Sequence, residues 1–261
     1  MPDNKIKIVF YKLIKRFTFL IILTQLFFIQ IIMAQTIDSS NPYQLHLIKT
    51  IDQYYYDKNR NSQNTMEDLK QLMPELIIDL VYCTSINFTG EILYPSMGTS
   101  YLRQPAAAAL QKIQLELKEE GLALKIWDAY RPYQVTRKMW QVVPDARYAA
   151  DPATGSGHNR GIAVDLTLVD LTSGKELDMG TDFDNFTMKA HHDCTSLPNQ
   201  VLLNRKKLKS LMESNGFKAL ETEWWHYSWQ KGEFELLDLS FEQLKEIVEA
   251  STSTNLKNKR Q

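Results

Sequence analysis

Two short segments of the chain contain residue types that bind and activate metal ions. The first contains His158 and Asp165, separated by six residues, and the second contains Glu223 and His226. Two imidazoles and one carboxylate supply three ligands, and catalytic zinc is bound by three protein ligands with a fourth position left open. A Glu three residues before a ligand His is well placed to accept a proton from the attacking water. The combination predicts a zinc hydrolase.

Each of these residues, taken alone, also has a structural explanation. Asp165 lies within an apolar stretch, where a buried charge must be compensated, and Arg160 or Arg131 could pair with it instead of a metal. His158 alone could be an ordinary loop histidine, and His226 a core histidine with satisfied hydrogen bonds. The combination favours a metal site, because the chain has only five His and two of them occur in these settings.

The remaining His and Cys residues are not expected to bind the metal. His191 and His192 are adjacent, and adjacent residues of a strand point to opposite faces. His46 lacks a comparable setting. Neither Cys83 nor Cys194 lies in the paired spacing of a zinc site. The sequence leaves open whether these two cysteines form a disulfide or remain separate thiols, because their separation in space is not known.

The first 34 residues have the layout of a secretory signal peptide. Five Lys and Arg residues precede an apolar stretch from Phe17 to Met33, and Ala34 is a small residue at a plausible cleavage point. The stretch is also close to the lower length limit of a membrane-spanning helix, so an uncleaved anchor is the alternative. Either way the sequence predicts an exported protein, periplasmic or associated with the cell envelope. The leader would contact the membrane only if it is not cleaved, and no other part of the chain is expected to do so.

The chain after the leader is mildly acidic. The formal net charge of the whole chain is −1, and the five Lys and Arg and the single Asp of the leader leave −5 for the rest. Binding to nucleic acid requires clustered Lys and Arg, so no nucleic-acid partner is expected. The sequence contains no phosphate-binding glycine loop and no dinucleotide-binding fingerprint. It does not indicate an oligomeric state.

The hydrophobic pattern predicts one α+β domain with a central, mainly antiparallel sheet flanked by helices, preceded by the signal peptide. Strands are predicted at residues 76–82, 122–127, 161–168 and 217–229. Helices are predicted at residues 104–121, 133–143, 201–215 and 241–249, the last one opened by a capping box at Ser240. The resulting division is a tether and lead-in segment at 35–65, the domain at 66–250 and a frayed basic tail at 251–261. These elements must bring the two metal-binding segments together.

Several pieces of the sequence together resemble the D-alanyl-D-alanine dipeptidase family. Besides the two metal-binding segments, they are Asn-Phe-Thr-Gly at 87–90 followed by Tyr94, Asp-Ala-Tyr-Arg-Pro at 128–132, Phe-Asp-Asn-Phe at 183–186 and the Trp pair at 224–225. The match extends from about residue 75 to 230. It is far more specific than an isolated His-x6-Asp pattern, which related D,D-carboxypeptidases and the zinc-binding hedgehog signalling domain share.

The resemblance implies a role for each residue of the metal centre. His158, Asp165 and His226 would bind one zinc ion per chain. Glu223 would be the catalytic base. Arg131 would act on the carbonyl of the substrate and on its developing oxyanion.

The resemblance also implies a small dipeptide substrate. Ser156 and Asp184 would hold it, with Asp184 near its free ammonium. The expected reaction is hydrolysis of D-alanyl-D-alanine to D-alanine, in cell-wall peptide turnover or glycopeptide resistance. One alternative is a D,D-carboxypeptidase that acts on peptidoglycan stem peptides. Another is a catalytically silent zinc-binding module that recognises the cell wall, but Glu223 and Arg131 argue against it because a binding module needs neither.

Overall fold

The computed structural model describes residues 38–258 and six isolated positions before them, namely 15, 17, 18, 20, 21 and 25. The predicted leader otherwise lies outside the described residues, so its cleavage stays a prediction. Among the described residues, no helix is both long enough and apolar enough to cross a membrane. Residues 1–44 and 45–261 are two separate compact units. In the first of them, residues 38–44 form turns.

The second unit contains all the strands and helices named below. The strands are β1 (Leu47–Ile48), β2 (Met66–Asp68), β3 (Ile77–Ile78), β4 (Tyr101–Arg103), β5 (Leu122–Asp128), β6 (Ala163–Asp170), β7 (Phe217–Leu220), β8 (Glu223–Trp229) and β9 (Leu236–Leu237). The helices are α1 (Ile51–Arg60), α2 (Leu69–Leu72), α3 (Gln104–Glu119), α4 (Tyr133–Val142), α5 (Asn199–Ser214) and α6 (Phe241–Asn258). Short 3-10 helices lie at Ser62–Asn64, Val81–Cys83 and Met188–Ala190.

A five-stranded sheet with the order β3-β5-β6-β8-β7 forms the centre of this unit. The β5–β6, β6–β8 and β7–β8 pairs are antiparallel, whereas the β3–β5 pair is parallel. The sheet is therefore mixed, and the prediction of a mainly antiparallel sheet is corrected at its β3 edge. The physical reason is the connection, because α3 lies between β3 and β5 and such a crossover returns the chain in its original direction. Two smaller sheets pair β1 with β9 and β2 with β4.

Two strand predictions differ from the structure. Of residues 76–82, only Ile77–Ile78 pair with the sheet, and Val81–Cys83 form a 3-10 helix. Residues 217–229 form two strands, β7 and β8, which are joined by a turn at 221–222. In both places an apolar sequence suited to a strand bends, and both bends bring side chains toward the candidate site.

The helix ends follow local sequence signals. At the start of α6, the backbone N–H of Gln243 donates to Ser240 Oγ at 3.2 Å, and the N–H of Ser240 donates to Gln243 Oε1 at 2.8 Å. This is the predicted capping box. Gly121 and Gly216 follow α3 and α5 with φ values of 71° and 95°. Glycine adopts this left-handed conformation without the steric cost that a side chain brings.

Both ends of the domain contain more helix than the sequence suggested. Within the predicted lead-in segment, residues 51–60 form α1, which Thr50 and Gln53 cap at its start. Helix α6 continues past its predicted end to Asn258, so the predicted tail at 251–261 is helical over most of its length. At its start, the hydroxyls of Ser251 and Thr252 donate to Ile247 O and Val248 O, one turn earlier in the helix, at 2.9 and 3.0 Å.

Helix α3 packs against the sheet and fixes the strands that carry the site. Leu110, Ile113 and Leu117 recur at helical spacing and are fully buried in one core cluster with Leu124 of β5 and Leu166 of β6. Burying a Leu or Ile side chain contributes about 1.5–3 kcal/mol. This packing therefore holds β5 and β6 together. Strand β5 ends beside the candidate metal centre, and β6 contributes Asp165 to it.

Candidate active site

The register of the central sheet places three polar residues in one row. Asp165 of β6 pairs with Asp128 of β5 on one side and with His226 of β8 on the other. Side chains directly opposite each other on neighbouring strands are within interaction distance on one face. Accordingly, His226 Nδ1 lies 2.9 Å from Asp165 Oδ1.

His158 reaches this row from the loop before β6. Its Nε2 lies 3.3 Å from Asp165 Oδ2 and 3.2 Å from His226 Nδ1. Its Nδ1 lies 2.7 Å from the carbonyl oxygen of Ala129. Since a carbonyl only accepts hydrogen bonds, Nδ1 carries the proton and a neutral His158 presents the lone pair of Nε2 to the site. This is the usual orientation of a metal-binding His.

The loop that carries His158 depends on Gly157. The backbone N–H groups of Ile162 and Ala163 both donate to Gly157 O, at 3.0 and 3.2 Å. A Cβ at position 157 would lie only 2.9 Å from Ala163 Cβ and 3.0 Å from Ser228 Oγ. Glycine therefore allows the loop to approach β8 closely enough for His158 to meet the row.

The ligand atoms of His158, Asp165 and His226 all lie within 4.8 Å of one another. Burial by itself would raise the pKa of Asp165, but its interactions with His158 and His226 lower that pKa below the usual value. Behind His226, Ser228 Oγ lies 3.1 Å from Nε2. Two imidazoles and a carboxylate that converge in a buried place, each imidazole with a polar partner on its far side, form a candidate three-residue metal site.

Glu223 faces the same cavity as His226, although the two residues lie three positions apart on one strand. In a regular strand they would point to opposite faces. The pairing of β7 with β8 is irregular, because Leu220 pairs with Glu223 whereas Ala219 pairs with Tyr227. Between these two pairs β8 advances by four residues while β7 advances by one. The extra residues of β8 allow Glu223 to point into the cavity.

The environment of Glu223 favours proton transfer. Burial raises the pKa of Glu223 well above its usual value, and Asp165 and Asp184 raise it further, whereas Arg131 lowers it. A carboxylate with a raised pKa accepts protons more readily at neutral pH than an exposed one. Its position in the cavity that the candidate metal ligands line suits Glu223 to the role of a general base.

Arg131 is a fixed positive charge in the cavity wall. Its Nε and Nη2 donate to Asp128 Oδ2 at 2.8 and 2.5 Å, and Tyr94 donates to the other oxygen of Asp128 at 2.6 Å. Burial alone would lower the pKa of Arg131, but Asp128 and then Tyr82 raise it above its usual value. The sequence did not assign a role to Asp128 or Tyr94, although both belong to motifs that it identified.

Asp184 enters the cavity from the long connection between β6 and α5. Its φ of 57° is left-handed, which is unusual for a residue other than glycine. The hydroxyl of Tyr82 lies 3.0 Å from each of its carboxylate oxygens. Burial raises the pKa of Asp184 to about 7, and the nearby charge of Asp165 adds to this effect. A cationic group bound here would stabilise the ionised carboxylate.

One cavity of about 240 Å³ brings all the predicted site residues together. It is lined by Arg131, Ser156, His158, Asp165, Asp184, Glu223 and His226. Ser156 is buried, and its Oγ accepts a hydrogen bond from the His158 N–H at 3.1 Å. Of the two adjacent tryptophans, Trp225 lines this cavity and Trp224 lines a different one. The small volume suits a small substrate.

The remaining candidates for metal binding lie elsewhere. Within the described part of the chain, the three residues His158, Asp165 and His226 are the only such group close enough to hold a metal ion. His46 instead lies 3.0 Å from Glu235. Both cysteines are free thiols.

The family model that matches this chain and three of its relatives all carry the same description. The family model described as D-ala-D-ala dipeptidase matches residues 62–244. The D-alanyl-D-alanine dipeptidase of Escherichia coli (strain K12) is 39% identical over 160 residues, which cover 61% of this chain and 82% of that protein. The enzymes of the same name from Enterococcus faecium and Streptomyces coelicolor are 32% and 33% identical, over 57% and 58% of this chain and 83% and 84% of their own lengths. Because the family model covers well over half of the sequence, the chain belongs to the D-ala-D-ala dipeptidase family of peptidases.

Proposed function

We propose that the protein is a zinc dipeptidase that hydrolyses D-alanyl-D-alanine to D-alanine. The observation that carries this proposal is the composition of one small cavity, which holds a three-residue metal site, the buried carboxylate of Glu223 and a second carboxylate, Asp184. The first two groups provide for hydrolysis. The third provides a partner for the free ammonium of a dipeptide. The named activity of the relatives supports the same substrate.

The metal site fits zinc by the chemistry of its donors. His158 Nε2, His226 Nδ1 and a carboxylate oxygen of Asp165 would hold the ion, and imidazole and carboxylate are ligands that zinc accepts in catalytic sites. When bound there, zinc would lower the pKa of water and polarise the scissile carbonyl.

Glu223 and Arg131 supply the rest of the hydrolytic chemistry. Glu223 accepts the proton of the attacking water and then passes it to the leaving amine. Arg131 donates hydrogen bonds to the oxyanion that develops on the scissile carbonyl. Because Asp128 already holds the guanidinium in place, the charge needs little reorganisation when the oxyanion forms.

Asp184 and Ser156 bind the dipeptide. A carboxylate that faces an ammonium in a desolvated cavity forms a charge-assisted hydrogen bond worth about 1.5–3 kcal/mol. A substrate with a blocked amine has no cation and leaves Asp184 buried without a partner. Free dipeptides should therefore be preferred to acetylated or longer peptides by roughly tenfold to a hundredfold or more in kcat/KM.

The test compares kcat/KM of the zinc-loaded protein for D-alanyl-D-alanine, its N-acetyl derivative and a stem pentapeptide. The wild type should prefer the free dipeptide. Asp184→Asn, which keeps the shape of the side chain but removes its charge, should lose most of that preference. A wild type that prefers the blocked or longer peptide would be a D,D-carboxypeptidase, and zinc-loaded protein with no turnover on any of the three would be a binding module.

We also propose that the enzyme acts outside the cytoplasm. The basic and apolar pattern of residues 1–34 supports export, either with cleavage near Ala34 or with the leader retained as an anchor. Cell fractionation and intact-mass measurement of the purified protein would test this. Recovery of the full-length chain in the cytoplasmic fraction alone would contradict it.

A further inference from the structure

The segment from Met179 to His191, called the strap below, carries Asp184 to the cavity with little regular structure of its own. Within it, the described secondary structure is the single 3-10 turn at Met188–Ala190. Asp184 itself has a left-handed backbone. Such a residue keeps its conformation only when the surrounding contacts determine it. The contacts that hold the strap therefore also determine where the Asp184 carboxylate lies.

One guanidinium binds both ends of the strap. Arg205 of α5 donates from Nε to Met179 O at 2.7 Å and from Nη1 to His191 O at 3.2 Å. The side chain is buried, with 5% of the residue exposed, and it is not part of the cavity wall. Helix α5 thus closes the strap into a loop with its ends fixed at one point.

Neighbouring contacts connect the same guanidinium to β8, the strand that carries Glu223 and His226. Arg205 Cζ lies 5.6 Å from the ring centroid of Trp224, and Trp224 Nε1 donates to Thr181 Oγ1 of the strap at 2.8 Å. Trp224 directly follows Glu223 on β8. One residue before Arg205, Asn204 Nδ2 donates to the carbonyl oxygen of Asp178 at 2.8 Å. The strap is therefore held against both α5 and β8 around Arg205.

We propose that Arg205 is a positioning residue for recognition of the substrate amine, because it holds the strap in the place where Asp184 meets the ammonium. The inference rests on the proposed function and adds to it a specificity determinant outside the cavity. Arginine is suited to this task because its planar guanidinium offers donors in several fixed directions, so one side chain can bridge two carbonyls. A Lys ammonium on the same helix position would reach one strap end and release the other.

The test uses Arg205→Lys, which keeps the charge and the apolar stem, measured with the free and the N-acetylated dipeptide. For Arg205→Lys we expect kcat/KM to fall by about tenfold to a hundredfold with the free dipeptide, mainly through KM, and to change less than about twofold with the acetylated one. The matched control is Lys206→Gln, which removes an exposed charge from the next position of α5. This control should leave both substrates unaffected.

A double variant separates positioning from a general structural role. If Arg205 acts through Asp184, then Arg205→Lys combined with Asp184→Asn should be no worse than Asp184→Asn alone. Equal losses on both substrates, or losses that add in the double variant, would overturn the proposal. Circular dichroism and zinc content check that each variant is folded. Should Arg205→Lys not fold, Asn204→Ala removes the adjacent anchor and must show the same substrate-selective loss, or the proposal fails.

The outcome for the wild type keeps this inference distinct from the proposed function. A wild type without preference for the free dipeptide would refute the dipeptidase assignment, whatever Arg205 does. A wild type with that preference, together with an Arg205→Lys variant that retains it in full, would refute the positioning role alone.

Discussion

His158 illustrates how a residue is prepared for metal binding by an atom outside the cavity. The carbonyl of Ala129 fixes the proton on Nδ1, which leaves Nε2 as an acceptor beside Asp165 and His226. Ser228 Oγ lies behind the other imidazole. Such partners set the orientation and basicity of metal ligands. The sequence predicted the candidate ligands but not their partners, because a backbone carbonyl has no sequence signature.

Replacing His226 by Ala should remove the metal and abolish activity. The variant keeps only two of the three ligands, and a zinc site needs at least three protein ligands to be held firmly. Elemental analysis of purified protein measures the effect. His46→Ala is the control, since this exposed His pairs with Glu235 and its loss should leave metal content unchanged. Full zinc occupancy in His226→Ala would show that the metal is bound elsewhere.

Replacing Glu223 by Gln should separate the base from the ligands. Gln keeps the shape of the side chain but cannot accept the proton, so turnover should fall by at least about 10²-fold, the usual contribution of a positioned proton acceptor. Zinc content should stay at the wild-type level. Steady-state kinetics on matched metal loadings decide the point, and activity within a few-fold of the wild type would mean that another group is the base.

At the scale of secondary-structure elements, the hydrophobic pattern of the sequence predicted most helices but not the bends that interrupt two predicted strands. Helices α3, α4 and α5 lie within two residues of their predicted bounds, because hydrophobic spacing and helix-end signals act within a few residues. The turn at 221–222 and the irregular β8 pairing have no such local signal. They result from pairing with β7 and β6, and they are what allows Glu223 and His226 to share a cavity.

Tyr82 is a second residue whose position the local sequence pattern could not predict. It was predicted within a strand because its neighbours are apolar and β-branched, yet it follows the short strand β3 in a 3-10 turn. Its hydroxyl binds Asp184, 102 positions away in the sequence. A contact of that separation depends on the whole fold, so residue types near Tyr82 could not reveal it.

His192, which precedes α5 and packs against Tyr227 of β8, should make the stability of the protein depend on pH. The ring of His192 lies 6.2 Å from that of Tyr227, and burial, with smaller effects of Lys209 and Arg205, lowers the pKa of His192 to about 4. An unfolded His has a pKa of about 6.5. The unfolded chain therefore binds the proton more readily, and this contribution to stability is lost as the pH falls from about 6.5 to 4.

His192→Gln should accordingly show a shallower decline of Tm with falling pH than the wild type. Thermal unfolding at a series of pH values, at equal zinc loading, measures both slopes. Parallel slopes across that range would contradict a buried, neutral His192.

For the whole molecule, the prediction of one α+β domain is confirmed, with the sheet mixed rather than mainly antiparallel. The family match at 62–244 lies inside the compact unit formed by residues 45–261. The sequence could not supply the sheet order, since pairing between distant strands is not encoded in local periodicity. Export through residues 1–34 stays a prediction.

The two cysteines, Cys83 and Cys194, give a prediction for the whole molecule. Cys83 Sγ lies 3.3 Å from Pro95 O, and Cys194 Sγ lies 3.5 Å from Ser196 Oγ, so each sulfur has its own local partner. We expect two free thiols in protein purified without reductant, determined by peptide mass mapping under non-reducing conditions. Burial raises the pKa of Cys83 to about 11, so this thiol should react slowly with alkylating reagents at neutral pH. A peptide linking the two cysteines would contradict the expectation.

The order of the strands has a consequence for the biosynthesis of the enzyme. His158 and Asp165 leave the ribosome well before His226, which lies on the strand inserted between β6 and β7. A nascent chain that ends after β6 therefore holds two ligands and cannot form the metal site. Because the three candidate ligands meet only in the finished sheet, a bound ion would stabilise the folded protein by mass action. We therefore expect metal loading to be a late step in the folding of this protein.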